Sequence, residues 1–361
     1  AGIRADVFEM RADPKATQVG GGFHIWANGV KAARAMGLEA RVQEIGATIE
    51  ETGFYGGRGQ QLALWPVGEV SREVGAGDYG VSRGDLQRVL HEEVGADAVS
   101  SSAQLTGFSE DKDGITATFA DGRQEYGDLL VGADGLRSTV RASLLGDGPP
   151  DYAGYTQWQT ITDSGADLIA AGTERVTFGP GKRSVMHHVG GDRLFWAAVI
   201  YGPESDAGRP PGRKQMLLDR FDGWPGPVCD AIRGTPETAI TGLAVYDRKP
   251  VKKWGQDRVT LLGDAAHPMT TNTSQGGNQA LEDAVVLAHC LRDAPDVAQA
   301  LRRYEELRIA RTSPLVRESR RAANMNSWRD PVRSRFRDVL FGRVLPSVAL
   351  RGLRATAAVE L

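Results

Sequence analysis

The run Leu261-Leu262-Gly263-Asp264-Ala265-Ala266-His267-Pro268 carries an apolar strand, Arg258–Leu262, into a long loop, Gly263–Gly277. An acid at the carboxyl end of such a strand stands where polyol hydroxyls can donate to it, and Asp264 holds that place. Ser274-Gln275-Gly276-Gly277-Asn278 then brings small residues and free amides to the start of an alanine-rich helix, Asn278–Leu291. A helix start of this kind suits the pyrimidine edge of a flavin, which carries negative charge when reduced. His267 taken alone reads more readily as a packed histidine than as a catalyst. Val131–Ser138 repeats the device with Gly132-Ala133-Asp134-Gly135, either a dinucleotide contact or an ordinary strand-to-helix turn with a capping Asp. Glu9 follows Val7-Phe8 at the end of an apolar strand, where an acid could accept both hydroxyls of an adenosine ribose.

The literal G-x-G-x-x-G, Gly75-Ala76-Gly77-Asp78-Tyr79-Gly80, does not qualify as a phosphate loop. No buried strand leads into it, and Asp78 would stand beside the phosphates, so a surface turn is expected there. Residues able to meet a substrate fall on strand-like runs further along: Trp158, Arg183, His187, His188 and Trp196. Strand alternation puts Arg183 and His187 on one face and His188 on the other. Arg183, His187 and Trp196 are the substrate-facing candidates, each with a plain structural alternative as a surface Arg, a packed His or a core Trp. No catalytic triad is evident and no metal site is expected.

The elements that must position these residues fall into four stretches. Residues 1–150 read as the first part of a cofactor-binding domain. Within it, Gly29–Met36 is a short helix, Ser82-Arg83-Gly84-Asp85 a capping box, and Ala98–Leu105, Gly114–Ala120 and Arg123–Val131 strand-like runs of an inserted meander. Residues 151–248 change texture to short strands broken by Gly/Pro turns, an antiparallel substrate-binding layer. Residues 249–295 return to the cofactor-binding domain, and 296–361 are C-terminal helices. Val297–Asn326 is one long helical pattern that Pro314 should kink, and the remainder to Leu361 reads as basic amphipathic helix. The fold class is α/β: a Rossmann-like sheet with an antiparallel substrate sheet and C-terminal helices.

Composition fits this class. The 361 residues carry a net charge of −3 and a pI near 6.1, which gives no nucleic-acid footprint. Cys229 and Cys290 cannot build a disulfide framework. No transmembrane run or signal peptide is apparent, and a cytoplasmic monomer or homodimer is expected.

Together the motifs resemble the single-component FAD-dependent aromatic hydroxylases. The resemblance rests on Phe8-Glu9, Gly20-Gly21-Gly22 with Trp26-Ala27-Asn28, Ser82-Arg83-Gly84-Asp85-Leu86, Gly132–Gly135, Tyr246-Asp247-Arg248, and Gly263–Pro268 through Glu282-Asp283-Ala284. Lys182–Trp196 and Gly263–Leu287 are most similar to FAD-dependent urate hydroxylases. The resemblance implies FAD as cofactor and NAD(P)H as electron donor. A C4a-hydroperoxyflavin, formed with O₂, would hydroxylate a small aromatic or heteroaromatic substrate. It implies that Glu9 binds the adenosine ribose, Arg83 the pyrophosphate, and Leu105 the adenine through its backbone. Asp134 would lie near the pyrophosphate and take part in NAD(P)H docking, Asp264 would lie on the ribitol chain and Pro268 beside the flavin, with Gly276, Gly277 and Asn278 giving backbone contacts to its pyrimidine edge. Ser274 departs from the pattern where a glycine is usual, and Ala27 replaces a common proline. An epoxidase or Baeyer–Villiger oxygenase on a natural-product scaffold is the alternative within the fold, and a non-catalytic dinucleotide-binding protein the alternative outside it. The first strand, glycine loop and helix of the Rossmann unit are missing from the pattern. About 30 further residues carrying them are expected upstream of Ala1.

Overall fold

Parallel pairing delivers the chain to each of the three acids. Val7–Phe8 lies beside Val99–Ser100 and ends at Glu9, while Leu130–Gly132 lies beside Val259–Leu261 and these end before Asp134 and Asp264. Val259 and Leu261 are buried, as parallel strands covered on both faces require. This computed structural model describes residues 2–13, 21–163, 165–204, 207–208, 210–224, 227–343 and 345–361. Ala1 and Gly20 lie outside the described residues.

The inserted meander is an antiparallel three-stranded sheet, Leu105–Glu110, Ile115–Phe119 and Gln124–Gly127. Its first strand begins at Leu105, where the sequence pattern ends one; Val99–Ser100 is a separate strand of the parallel layer. A second small sheet sets Tyr79–Ser82 between Gly22–Ile25 and Gly46–Thr48. The segment 75–80 thus runs from a helix, Val67–Glu73, into a strand, the reverse of a phosphate loop. It is also no surface turn: Asp78 is fully buried and accepts from the Ser71 hydroxyl at 2.6 Å.

The substrate-side layer is a seven-stranded sheet. It runs Thr241–Asp247, Asp151–Thr162, Arg193–Tyr201, Lys182–Val189, Thr173–Gly179, Glu51–Gly56, Gln61–Trp65 in spatial order. The last two strands come from the first stretch of the chain, and Glu51–Gly56 pairs in parallel with Thr173–Gly179. The boundary expected at residue 151 therefore divides the sequence but not the sheet. Alternation gives this sheet two faces. Trp158, Met186, Leu194, Trp196 and Ala198 point one way and bury against the helices Arg213–Arg220 and Pro227–Gly234. Tyr155, Gln157, Gln159, Arg183, His187 and Phe195 point the other way, because Arg183 pairs with Val199 and His187 with Phe195.

Gly276–Asp293 packs on Ala27–Ala35 and on Val297–Asn326. Gly29 permits the first approach, since a Cβ there would sit 2.0 Å from Asn278 Oδ1. The long helix runs without interruption through Pro314, and Pro331–Arg343 and Leu345–Ala357 follow it.

Candidate active site

Asp264 stands on the one-turn segment Gly263–Ala265 that ends the Val259–Leu261 strand. Its side chain is open to solvent yet surrounded by protein, as on the floor of a cleft. That desolvation pushes its pKa up, with His267 and Arg83 holding it back. Gly276 faces it: a Cβ there would lie 3.7 Å from Asp264 Oδ1. Gly277 lies against the Phe23 ring, over which the Arg83 guanidinium sits 6.0 Å from the centroid. Arg83 opens the helix Arg83–Val94, where the Ser82 hydroxyl accepts from Asp85 N as the capping box requires, and its own amide donates to Gly21 O at 2.8 Å. Asp264, Arg83, Phe23 and the first turn of Gly276–Asp293 thus meet, and the amides of that turn lack partners within their own helix. An anion-tolerant, polyol-binding cleft is the chemistry this arrangement supports, which fits a flavin dinucleotide.

A buried ionic network holds that turn. Asn28 donates to Gln275 Oε1 at 3.0 Å and to Glu282 Oε1 at 2.6 Å. Arg308 donates to Glu282 at 2.7 Å and to Asp283 at 2.5 Å, and Arg311 also pairs with Glu282. Asp283 Oδ2 accepts from Gly263 N at 2.9 Å and lies 2.6 Å from His267 Nε2. Burial alone would raise the pKa of Asp283, but His267 and Arg308 hold it below the ordinary range. His267 is therefore a packed residue that fixes the Gly263–Pro268 turn. Asn278 locks the other end by donating to His24 O and Ser274 O and accepting from Trp26 N at 3.1 Å. Ser274 takes a left-handed φ of 52°, the conformation a glycine would adopt freely.

At the outer sites, Glu9 Oε1 accepts from Arg11 N at 2.9 Å, and its carbonyl accepts from Ala103 N, which brings Glu9 beside the segment leading to Leu105. Asp134 Oδ2 accepts from Thr139 N at 2.7 Å and Val140 N at 3.2 Å, so it caps the helix Thr139–Leu145.

On the sheet face above the cleft, Arg183 is 5% exposed. Its Nη2 reaches Thr271 Oγ1 at 3.4 Å, its Nε has no hydrogen-bond partner, and no described carboxylate pairs with it. Thr271 donates to Gln157 at 2.9 Å, and Gln157 donates to Gln159 at 2.6 Å. Gln159 Nε2 comes within 3.3 Å of where a Gly21 Cβ would be. A polar row thus runs from Arg183 to the glycines beside Arg83. The sequence gives no signal for Gln157, Gln159 and Thr271: strand register alone shows that the two glutamines share Arg183's face, and tertiary contact alone brings the loop residue Thr271 to it.

His187 shares that face as expected, but Gly80 closes over it, and it lies 3.4 Å from Glu174. Burial holds its pKa down. It does not reach the open cleft. Trp196 does not either: it projects from the opposite face, is fully buried, and donates to Thr235 at 3.0 Å. The indole fills the space under the Pro227–Gly234 helix, the plain alternative for this residue.

The FAD binding domain family matches residues 1–176 and 230–319. Aurachin C monooxygenase/isomerase of Stigmatella aurantiaca is 40% identical over 328 residues, 91% of this chain and 85% of that protein. FAD-dependent urate hydroxylase of Klebsiella pneumoniae is 32% identical over 333 residues, 91% of this chain and 86% of that one. The solved structure of Klebsiella pneumoniae HpxO complexed with FAD and uric acid superposes with a TM-score of 0.92 at 29% identity, over 99% of this chain and 91% of that chain.

Proposed function

This chain belongs to the FAD binding domain family of flavoprotein monooxygenases, and we propose that it hydroxylates a small aromatic or heteroaromatic compound bearing an acceptor oxygen, using NAD(P)H and O₂. One observation carries the substrate class: Arg183 is a buried cation with an unsatisfied Nε and no described carboxylate beside it. Burying a charge without a counter-ion is costly unless a ligand supplies one. A phenolate or a purine oxygen would do so.

In the same reading the cofactor roles are those the family resemblance implies. Asp264 would take the ribitol hydroxyls, the amides of Gly276, Gly277 and Asn278 the pyrimidine edge, and Pro268 would lie beside the ring. Arg83 would pair with the pyrophosphate, with Asp134 nearby, while Glu9 would take the adenosine ribose and the Leu105 backbone the adenine. FAD, when bound, supplies the redox chemistry with NAD(P)H and O₂. The protein's own part is positional and electrostatic. Arg183 favours the deprotonated, electron-rich form of the substrate by lowering its pKa. Thr271, Gln157 and Gln159 orient its remaining polar edge.

Phenols, purines and larger aromatic scaffolds should be screened for stimulation of NAD(P)H oxidation, with mass analysis of the products. A phenol or purine recovered one oxygen atom heavier is the expected result. The identity to an aurachin C monooxygenase/isomerase favours, as second reading, an oxygenation on a larger scaffold. An epoxide or rearranged product, with no phenol or purine consumed, would select it.

A further inference from the structure

The helix Pro331–Arg343 has two faces, and only one is used by the fold. Ser334, Arg337 and Phe341 point inward. The Phe341 ring packs tilted against Phe178 at 4.8 Å, the Arg337 guanidinium lies over the Phe178 ring and donates to Gly179 O, and the Ser334 hydroxyl donates to Trp328 O. That set completes the packing against the strand Thr173–Gly179 of the seven-stranded sheet. On the other side Val332, Phe336 and Val339 are 77%, 61% and 49% exposed. Their spacing of four and three residues makes one straight apolar ridge along the helix. Arg333 and Arg335 are exposed on its two flanks, and no described carboxylate pairs with either. The one acid of this helix, Asp338, is engaged by Arg337. Residues 331–361 hold six arginines against Asp338 and Glu360, in a chain whose overall charge is −3. The next helix adds an exposed Val348.

We propose that this ridge docks the protein on an anionic lipid surface, with Val332, Phe336 and Val339 entering the acyl boundary and Arg333 and Arg335 at the headgroups. An apolar stripe flanked by arginines is what an interfacial helix needs. No described helix is long and apolar enough to cross a membrane, so the contact is one of lying on the surface. A second copy of this chain is the poorer occupant, because joining two such faces would set arginine against arginine.

The test is flotation of the purified, FAD-loaded full chain with vesicles of phosphatidylcholine alone or mixed with phosphatidylglycerol, at low and high salt. Binding to the mixed vesicles, weakened by salt, is expected. Phe336→Ser with Val339→Ser should weaken it on the order of ten-fold or more. Arg333→Glu with Arg335→Glu should abolish the preference for the anionic vesicles. Both pairs of side chains face solvent, so FAD content and thermal transition should stay at wild-type values. Failure of the wild type to float, or binding that neither variant changes, overturns the proposal. So does a wild-type dimer that Phe336→Ser converts to monomer without any vesicle binding, which would assign the ridge to a second copy.

Discussion

Arg183 is the residue whose surroundings ask most plainly for a ligand. Its guanidinium is buried, touches Thr271 at 3.4 Å and leaves Nε unpaired. A charge-assisted hydrogen bond to substrate is worth about 1.5–3 kcal/mol, so Arg183→Ala should cost roughly ten- to a hundred-fold in kcat/KM. Arg183→Lys keeps the charge but loses the planar fork, and should recover only part of that. FAD content should stay unchanged in both. Steady-state kinetics with a turned-over substrate decide it, and a wild-type kcat/KM in the alanine variant removes the assignment. Asp264 makes the complementary case on the cofactor side. Gly276 and Arg83 are its neighbours, and the proposed reading gives it the hydroxyls of the ribitol chain. Asp264→Ala should purify folded but with much less FAD, read from the flavin-to-protein absorbance ratio. A full complement of flavin would count against it.

Among the elements, the turn before Gly276–Asp293 carries measurable strain. Ser274 sits at a φ of 52°, and the Asn278 side chain donates to its carbonyl at 2.8 Å, which pins the turn. A non-glycine residue held left-handed costs about 1–2 kcal/mol. Ser274→Gly gives part of that back to unfolded-chain entropy and should raise stability by about 0.5–1 kcal/mol. Ser274→Val, β-branched in the same conformation, should lower it. Thermal denaturation of the two variants checks the pair, and a glycine variant less stable than wild type contradicts the account. The hydroxyl itself makes no described hydrogen bond that the glycine would lose. The same reasoning explains why the departure from the family's usual glycine is tolerated here: neighbouring packing holds the turn for the serine.

At the scale of the molecule, one buried cluster joins the cofactor side to the substrate sheet. His24, on Gly22–Ile25, lies 3.4 Å from Glu174 on the sheet and 4.0 Å from Asp78, and Glu174 also lies 3.4 Å from His187. Thr52 and Ser71 donate to Glu174 and Asp78 respectively. Burial opposes charge on every member. For Glu174 the two imidazoles outweigh it and hold the carboxyl far below its ordinary 4.5, and for His24 the acids outweigh it and raise the imidazole above 6.5. Glu174 therefore contributes stability that is present above pH 4.5 and lost as pH falls toward its folded value. His24 contributes stability that is present below pH 6.5 and lost as pH climbs through its raised value. Asp78, desolvated up to about 6, works against the fold as it ionises between 3.8 and that value. Glu174→Gln should thus cost most in weakly acidic buffer, about 3 kcal/mol if His24 stays charged, and less as His24 becomes neutral at higher pH. Chemical denaturation of wild type and variant across pH 5–9 measures the difference. A gap that stays constant or widens with pH would show that the pair does not stabilise through His24.

Local signals were strong enough to place the cofactor side from sequence. Strand ends followed by an acid, small residues at a helix start and a capping Ser82 are set by neighbours within a few residues, so the strand end at Asp264 and the helix starts at Gly276–Asn278 and Arg83 could be read before any fold was known, while a pyrophosphate role for Arg83 came only with the family resemblance. The C-terminal helices were legible as basic and amphipathic for the same reason, although not which of their apolar residues would stay outside. What the tertiary structure alone decided were the long-range pairings. Strand period puts Arg183 and His187 on one face, but only the approach of Gly80 shows that His187 is closed off and Arg183 is not. Trp196 looks the same in sequence whether it lines a pocket or fills a core, and the helix Pro227–Gly234 settles that it fills a core. The strands Glu51–Gly56 and Gln61–Trp65 joined a sheet more than a hundred residues away in sequence. Period and capping are short-range consequences of backbone geometry. Which face meets solvent, cofactor side or helix depends on what else packs there, and no local pattern carries that information.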